Sequence, residues 1–111
     1  MKQYQQGDVN IVGVATIPTG AKKIEPVNGK FLVRHGKSGN SHVITADPEM
    51  ELYEKDGVLY LRSTKTVELE HIGPSSHHGA QVLNPKESPV WKFSPVYEED
   101  HLKKMMRPVS D

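Results

Sequence analysis

Apolar residues recur along this chain at every second position, in short runs broken by turn residues. Thr66 to His71 is the cleanest run, with Val67, Leu69 and His71 on one side and Thr66, Glu68 and Glu70 on the other. A two-residue period is the mark of a half-buried strand. It places His71 in phase with the core face. Asp8 to Ile17 also reads as a strand. Val9 and Ile11 alternate with Asn10, then Val12, Val14 and Ala15 follow, a run that predicts burial on both faces. Pro18-Thr19-Gly20 ends it, with proline presetting one φ and glycine free to take a positive one.

Turn chemistry divides the rest. Asn28-Gly29 lies between Lys22–Val27 and Lys30–Arg34, and predicts a hairpin, because a type I′ turn needs positive φ at both central residues. Met50–Glu54 and Val58–Arg62 predict a second hairpin around Lys55-Asp56-Gly57. Val43–Ala46, Ala80–Leu83 and Val90–Phe93 are further strand candidates, the last with Trp91 and Phe93 on one face. Pro95 either stops that strand or puts it at an edge. Only the tail has a helical pattern. In Glu98 to Met106 the acids lead and the bases trail, which suits the helix macrodipole, and Leu102, Met105 and Met106 share one face. Pro108 would stop that helix. About seven short strands and one terminal helix predict a mainly β fold, a small β-barrel or β-sandwich with a helix over 98–106.

The length, 111 residues, is that of a single domain over 1–111. Lys plus Arg equals Asp plus Glu, so no basic excess points to nucleic acid or a membrane surface. With no cysteine, disulfides, zinc ribbons and thiol catalysis are excluded, and a metal would need His, Asp, Glu or backbone oxygen. No apolar h-region follows Met1-Lys2-Gln3-Tyr4-Gln5-Gln6, and no apolar run approaches membrane-spanning length. The expectation is a cytoplasmic or virion-associated protein, neither secreted nor bound to a membrane.

The candidate chemistry centres on two polar loops. One, Arg34 to His42, lies between Phe31-Leu32-Val33 and Val43-Ile44; the other, Ile72 to Gly79, follows His71. His42 opens a strand, His71 closes one, and His77-His78 lie in the second loop. Should the loops meet, these four histidines are the candidate ligands of a divalent transition metal, with Glu70 or Asp47 able to complete the set. Semi-buried packing of His71 and solvation of His77-His78 is the plainer alternative. Gly36-Lys37-Ser38 is not a phosphate-binding loop, since Phe31 stands where the first glycine belongs. Ser41-His42 and Ser75-Ser76-His77 carry no nucleophile-elbow pattern. Lys22, Lys23, Lys30, Arg34 and Lys37, with Tyr53, Tyr60 and Trp91 for stacking, make a single-stranded nucleic-acid binder a further candidate.

Several short motifs carry a resemblance. They are Gln6-Gly7-Asp8-Val9, Ile17-Pro18-Thr19-Gly20-Ala21, Ser38-Gly39-Asn40-Ser41-His42-Val43-Ile44, Glu51-Leu52-Tyr53 with Asp56-Gly57, and Leu69-Glu70-His71. Through them the chain resembles a group of short, poorly characterised bacterial and phage proteins, over nearly its whole length. In that group the loop carries Gly-His-x-His, which looks like a metal-binding pair; here Asn40 replaces the first histidine and His42 matches the second. The group implies kinship and no activity. The leading expectation is therefore a non-catalytic protein-binding or structural module, such as a phage or bacterial accessory or virion component, with a protein partner or homo-oligomer. A histidine-dependent metal carrier or hydrolase comes second and the nucleic-acid binder third.

Overall fold

The computed structural model describes residues 2–35, 40–73, 79–95, 97–100 and 105–108, the last two segments as backbone. Twelve strands are formed among these residues: β1 (Gln3–Gln6), β2 (Val9–Val14), β3 (Lys22–Ile24), β4 (Lys30–His35), β5 (Ser41–Thr45), β6 (Met50–Lys55), β7 (Val58–Ser63), β8 (Val67–Ile72), β9 (Gln81–Leu83), β10 (Val90–Pro95), β11 (Tyr97–Asp100) and β12 (Met105–Pro108). They make a six-stranded sheet in the order β1-β2-β10-β7-β6-β3, a four-stranded sheet in the order β4-β5-β8-β9, and the pair β11-β12. Every registered pairing is antiparallel. The two larger sheets share one apolar cluster and neither closes into a barrel.

The alternation read from the sequence is what builds that cluster. Val67 and Leu69 of β8, Leu52 of β6, Leu61 of β7, and Trp91 and Phe93 of β10 all point inward and are buried. Burying each such side chain is worth about 1.5–3 kcal/mol before entropy is counted. On β2 the alternation extends to the end of the strand: Val9 and Ile11 are buried while Val12 and Val14 are half-buried, so the strand is not enclosed on both faces.

Both predicted turns form. Asn28 and Gly29 have φ of 52° and 74°, and Asp56 and Gly57 have 52° and 80°. The second turn joins β6 to β7 as an ordinary hairpin. The first does not join paired strands. Only Val27 and Lys30 bridge across it; β3 then pairs with β6 and β4 with β5, so the chain passes from one sheet to the other at this turn. The diverging arms leave a cleft of about 410 Å³ floored by Ile24, Phe31, Ala46 and Met50.

Other readings change as well. β1 has no counterpart among the strands expected from the sequence. β10 lies between β2 and β7 at the centre of its sheet and ends at Pro95, so of its two expected roles the proline stops the strand and does not mark an edge. Residues 98–106 do not form the expected helix among the described residues: Tyr97–Asp100 and Met105–Pro108 pair as strands, with Glu98 opposite Arg107. Residues 101–104 lie outside the described residues. A nine-residue segment has too few hydrogen bonds to sustain a helix alone, so tertiary surroundings decide its form.

Candidate functional site: a buried histidine pair and two unlike outer faces

Strand register brings together two of the four candidate histidines. His42 of β5 stands opposite His71 of β8. Each points inward because it is in phase with a core residue two positions away, Ile44 or Leu69. The rings stack, with centroids 4.3 Å apart and planes 12° from parallel. His42 is 0% exposed and His71 is 8% exposed.

The residues that surround His42 come from Gln6-Gly7-Asp8-Val9. Gly7, at φ 54°, turns the chain between the paired residues Gln6 and Val9, and so sends Gln6 and Asp8 toward the same ring. Gln6 Nε2 donates to the carbonyls of Leu69 (2.8 Å) and Gly79 (2.9 Å), which fixes its amide. Gln6 Oε1 then faces His42 Nδ1 at 2.8 Å and can only accept, so Nδ1 carries a proton. Asp8 Oδ1 lies 2.9 Å from His42 Nε2. The contact holds one proton, whether it is written as imidazolium with carboxylate or as imidazole with carboxylic acid.

Asp8 Oδ2 accepts from Arg34 Nε. Strict alternation after Phe31 would turn Arg34 outward. Instead the β4–β5 register slips between Leu32 and Arg34, leaving Val33 as the extra residue and setting Arg34 opposite His42. A bulge of this kind re-aims one side chain without breaking the sheet. Gln6 and Asp8 belong to the six-stranded sheet and its turn, whereas Arg34, His42 and His71 belong to the four-stranded one. The cluster is thus a polar clasp between sheets. Asp8 is buried and Arg34 only partly so; a buried carboxylate is tolerated when paired and hydrogen-bonded, as this one is.

This arrangement bears on the metal reading. His42 has both ring nitrogens engaged, so a metal there would have to displace Gln6 or Asp8. Among the described residues no three His, Asp or Glu side chains converge to hold a metal ion. His77 and His78 lie outside the described residues, as do Lys37 and Ser38. The two polar loops do start at one end of the molecule. Ser41 pairs with Ile72, and a Cβ on Gly73 would lie 2.6 Å from Asn40 Cα, so the roots of the loops touch. Asn40 is buried at 1% exposure. The stacking candidates divide: Trp91 is inside the core, while Tyr53 and Tyr60 are on the surface of the six-stranded sheet.

Sequence reasoning passed over Gln6 and Asp8 as site residues, and took Arg34 for a nucleic-acid contact rather than a partner of Asp8. The signal for the first two was the Gln6-Gly7-Asp8-Val9 motif itself, whose two polar side chains share one partner. Nothing in the sequence signalled the bulge that turns Arg34.

Outside, the two sheets differ. The outer face of the four-stranded sheet carries Leu32, Val43, Ile72 and Val82 around Glu68 and Glu70. The outer face of the six-stranded sheet carries Tyr53 and Tyr60 among lysines.

Fold and clasp together define a small, mainly β domain whose two larger antiparallel sheets are fastened by a largely buried polar cluster. The chain belongs to the family described as a domain of unknown function, DUF8820, which matches residues 5–85. No curated protein and no solved structure matches the chain. The match runs from β1 past β9 and includes every member of the clasp.

Proposed function

We propose that the chain is a non-catalytic protein-binding module, an accessory or virion component of a bacterium or phage. The observation that supports this reading is the outer face of the four-stranded sheet. Leu32, Ile72 and Val82 are 46%, 48% and 47% exposed there. Leu32 stands opposite Val43 on this face, and exposed apolar side chains grouped in this way offer a partner a surface to dock on. Glu68 and Glu70, on the same face, have no ion-pair partner among the described residues. They would select a partner whose contact surface is apolar with a basic rim. The closed clasp fits the same reading, since both ring nitrogens of the buried His42 are engaged by Gln6 and Asp8.

The test is recovery of the native complex, compared between the intact chain and Leu32→Lys with Ile72→Lys. A stoichiometric protein partner, lost in the double variant, is expected. An intact chain that runs as a free monomer in its native extract ends the proposal.

A metal site is the second reading. It is favoured by the segment bearing His77 and His78, which leaves at Gly73 beside Asn40 and returns at Gly79 beside Gln6. Metal content of the same preparation, purified without a histidine tag, decides it. Stoichiometric zinc, nickel or copper that disappears in His71→Ala would place this reading first.

A further inference from the structure

Register aligns a row of residues across the outer face of the six-stranded sheet. Lys23 stands opposite Tyr53. Tyr53 stands opposite Tyr60, and Tyr60 opposite Lys92. All four point outward, because the residues beside them in the chain, Ile24, Leu52, Leu61 and Phe93, belong to the core cluster or pack against it. Adjacent strands are about 4.8 Å apart, so the two rings are neighbours and a lysine lies one strand beyond each. Arg62 stands 5.9 Å from the Tyr53 centroid, at the outer limit of a cation–π contact. Its charge is balanced by Glu51, which accepts from it at 2.7 and 3.0 Å. Lys23 and Lys92 form no close ion pair among the described residues, although Lys23, after Arg62, adds to the positive field that lowers the Glu51 pKa.

We propose that this row is a binding platform for single-stranded nucleic acid, with bases stacked on Tyr53 and Tyr60 and phosphates held by Lys23 and Lys92. The row joins the two things such a strand offers. Every base has a π-face, whatever the sequence, and every nucleotide carries a negative charge. An acidic protein surface would satisfy the lysines but gives no reason for paired tyrosines on an exposed face. A duplex keeps its bases stacked inside and cannot use the rings. The chain's zero net charge is no obstacle, because Lys23 and Lys92 lie on this face, where Glu51 is occupied by Arg62, and Glu68 and Glu70 lie on the outer face of the other sheet. The platform is independent of the protein-binding face, so either can fail without the other.

The test is fluorescence anisotropy of the full chain with labelled 12-residue oligo(dT), oligo(rU) and a duplex of the same length, at about 50 and about 200 mM salt. Binding to the single strands, weakening as salt rises, is expected; the two oligonucleotides report whether the sugar matters. Tyr53→Ala with Tyr60→Ala should weaken binding at least about tenfold. Tyr53→Phe with Tyr60→Phe should keep it, since the π-faces remain. Lys23→Glu with Lys92→Glu should remove it. Emission of Trp91, the one tryptophan, reports in each variant that the core is intact. Undetectable binding by the intact chain, equal binding to the duplex, or affinity unmoved by both the alanine and the glutamate pairs overturns the proposal. Binding to an acidic polypeptide that outcompetes the oligonucleotides overturns it too, and assigns the face to a protein.

Discussion

The clasp and the outer faces use polar side chains in opposite ways. Inside, Gln6, Asp8, Arg34 and His42 direct their hydrogen bonds to one another or to backbone. Outside, Lys23, Lys92, Glu68 and Glu70 form no close ion pair among the described residues. The two histidines that register brings together, His42 and His71, are enclosed by the fold. The residues available to a partner are ordinary lysines, tyrosines and glutamates, made notable by register alone. Substitution inside should therefore change stability, and substitution outside should change binding with stability kept.

The largest effect is expected from opening the clasp. Asp8→Ala leaves Arg34 and His42 facing each other without a carboxylate, and should lower stability by about 3–5 kcal/mol. Urea unfolding followed by Trp91 emission measures it. A loss under about 1 kcal/mol would put the cluster on a par with a surface pair and remove the contrast.

A smaller effect is expected where the loop roots meet. Gly73 has φ 155°, and a Cβ there would lie 2.1 Å from Asn40 Oδ1 and 2.6 Å from its Cα. Gly73→Ala must shift backbone, at a cost of about 1–3 kcal/mol. An unchanged urea midpoint would show that this end of the sandwich is slack.

The smallest effect belongs to the surface. A hydrogen bond from Arg62 holds the Glu51 carboxyl below its ordinary 4.5. A depressed folded pKa stabilises above the unfolded value, and the contribution is lost as pH falls through the folded one. Glu51→Gln should flatten the acid limb of the stability curve below about pH 4.5, only at low salt, with neutral-pH stability nearly unchanged. An acid limb identical in both proteins would show that this exposed pair adds nothing.

Much of this arrangement was legible in the sequence. The inward phase of Val67, Leu69 and His71 and both positive-φ turns follow from local patterns. So does the pair β6–β7. Whatever depends on distant residues was not legible. Asn28-Gly29 predicts a turn, yet which sheet each arm enters is decided by β6 and β5. Gln3-Tyr4-Gln5-Gln6 has no apolar alternation because Gln6, its most buried residue, faces a histidine and not the apolar core. The bulge at Val33 interrupts the period that would have placed Arg34. The meeting of His42 with His71 rests on long-range pairing that spacing along the chain does not encode. Over 98–106 the helical pattern is present, but the segment is too short for local preference to prevail.

β10 sets the order in which this protein can be made. During synthesis β1 and β2 emerge early, and β3, β6 and β7 follow, yet these two groups share no ladder until Val90–Pro95 has been translated and inserted between them. Until then both halves present open strand edges, and the core lacks Trp91 and Phe93. A nascent chain paused at residue 85 lacks the strand that joins β2 to β7. Such edges are what aggregation and chaperones both recognise, so the interval before β10 leaves the ribosome is when this chain is most exposed to either.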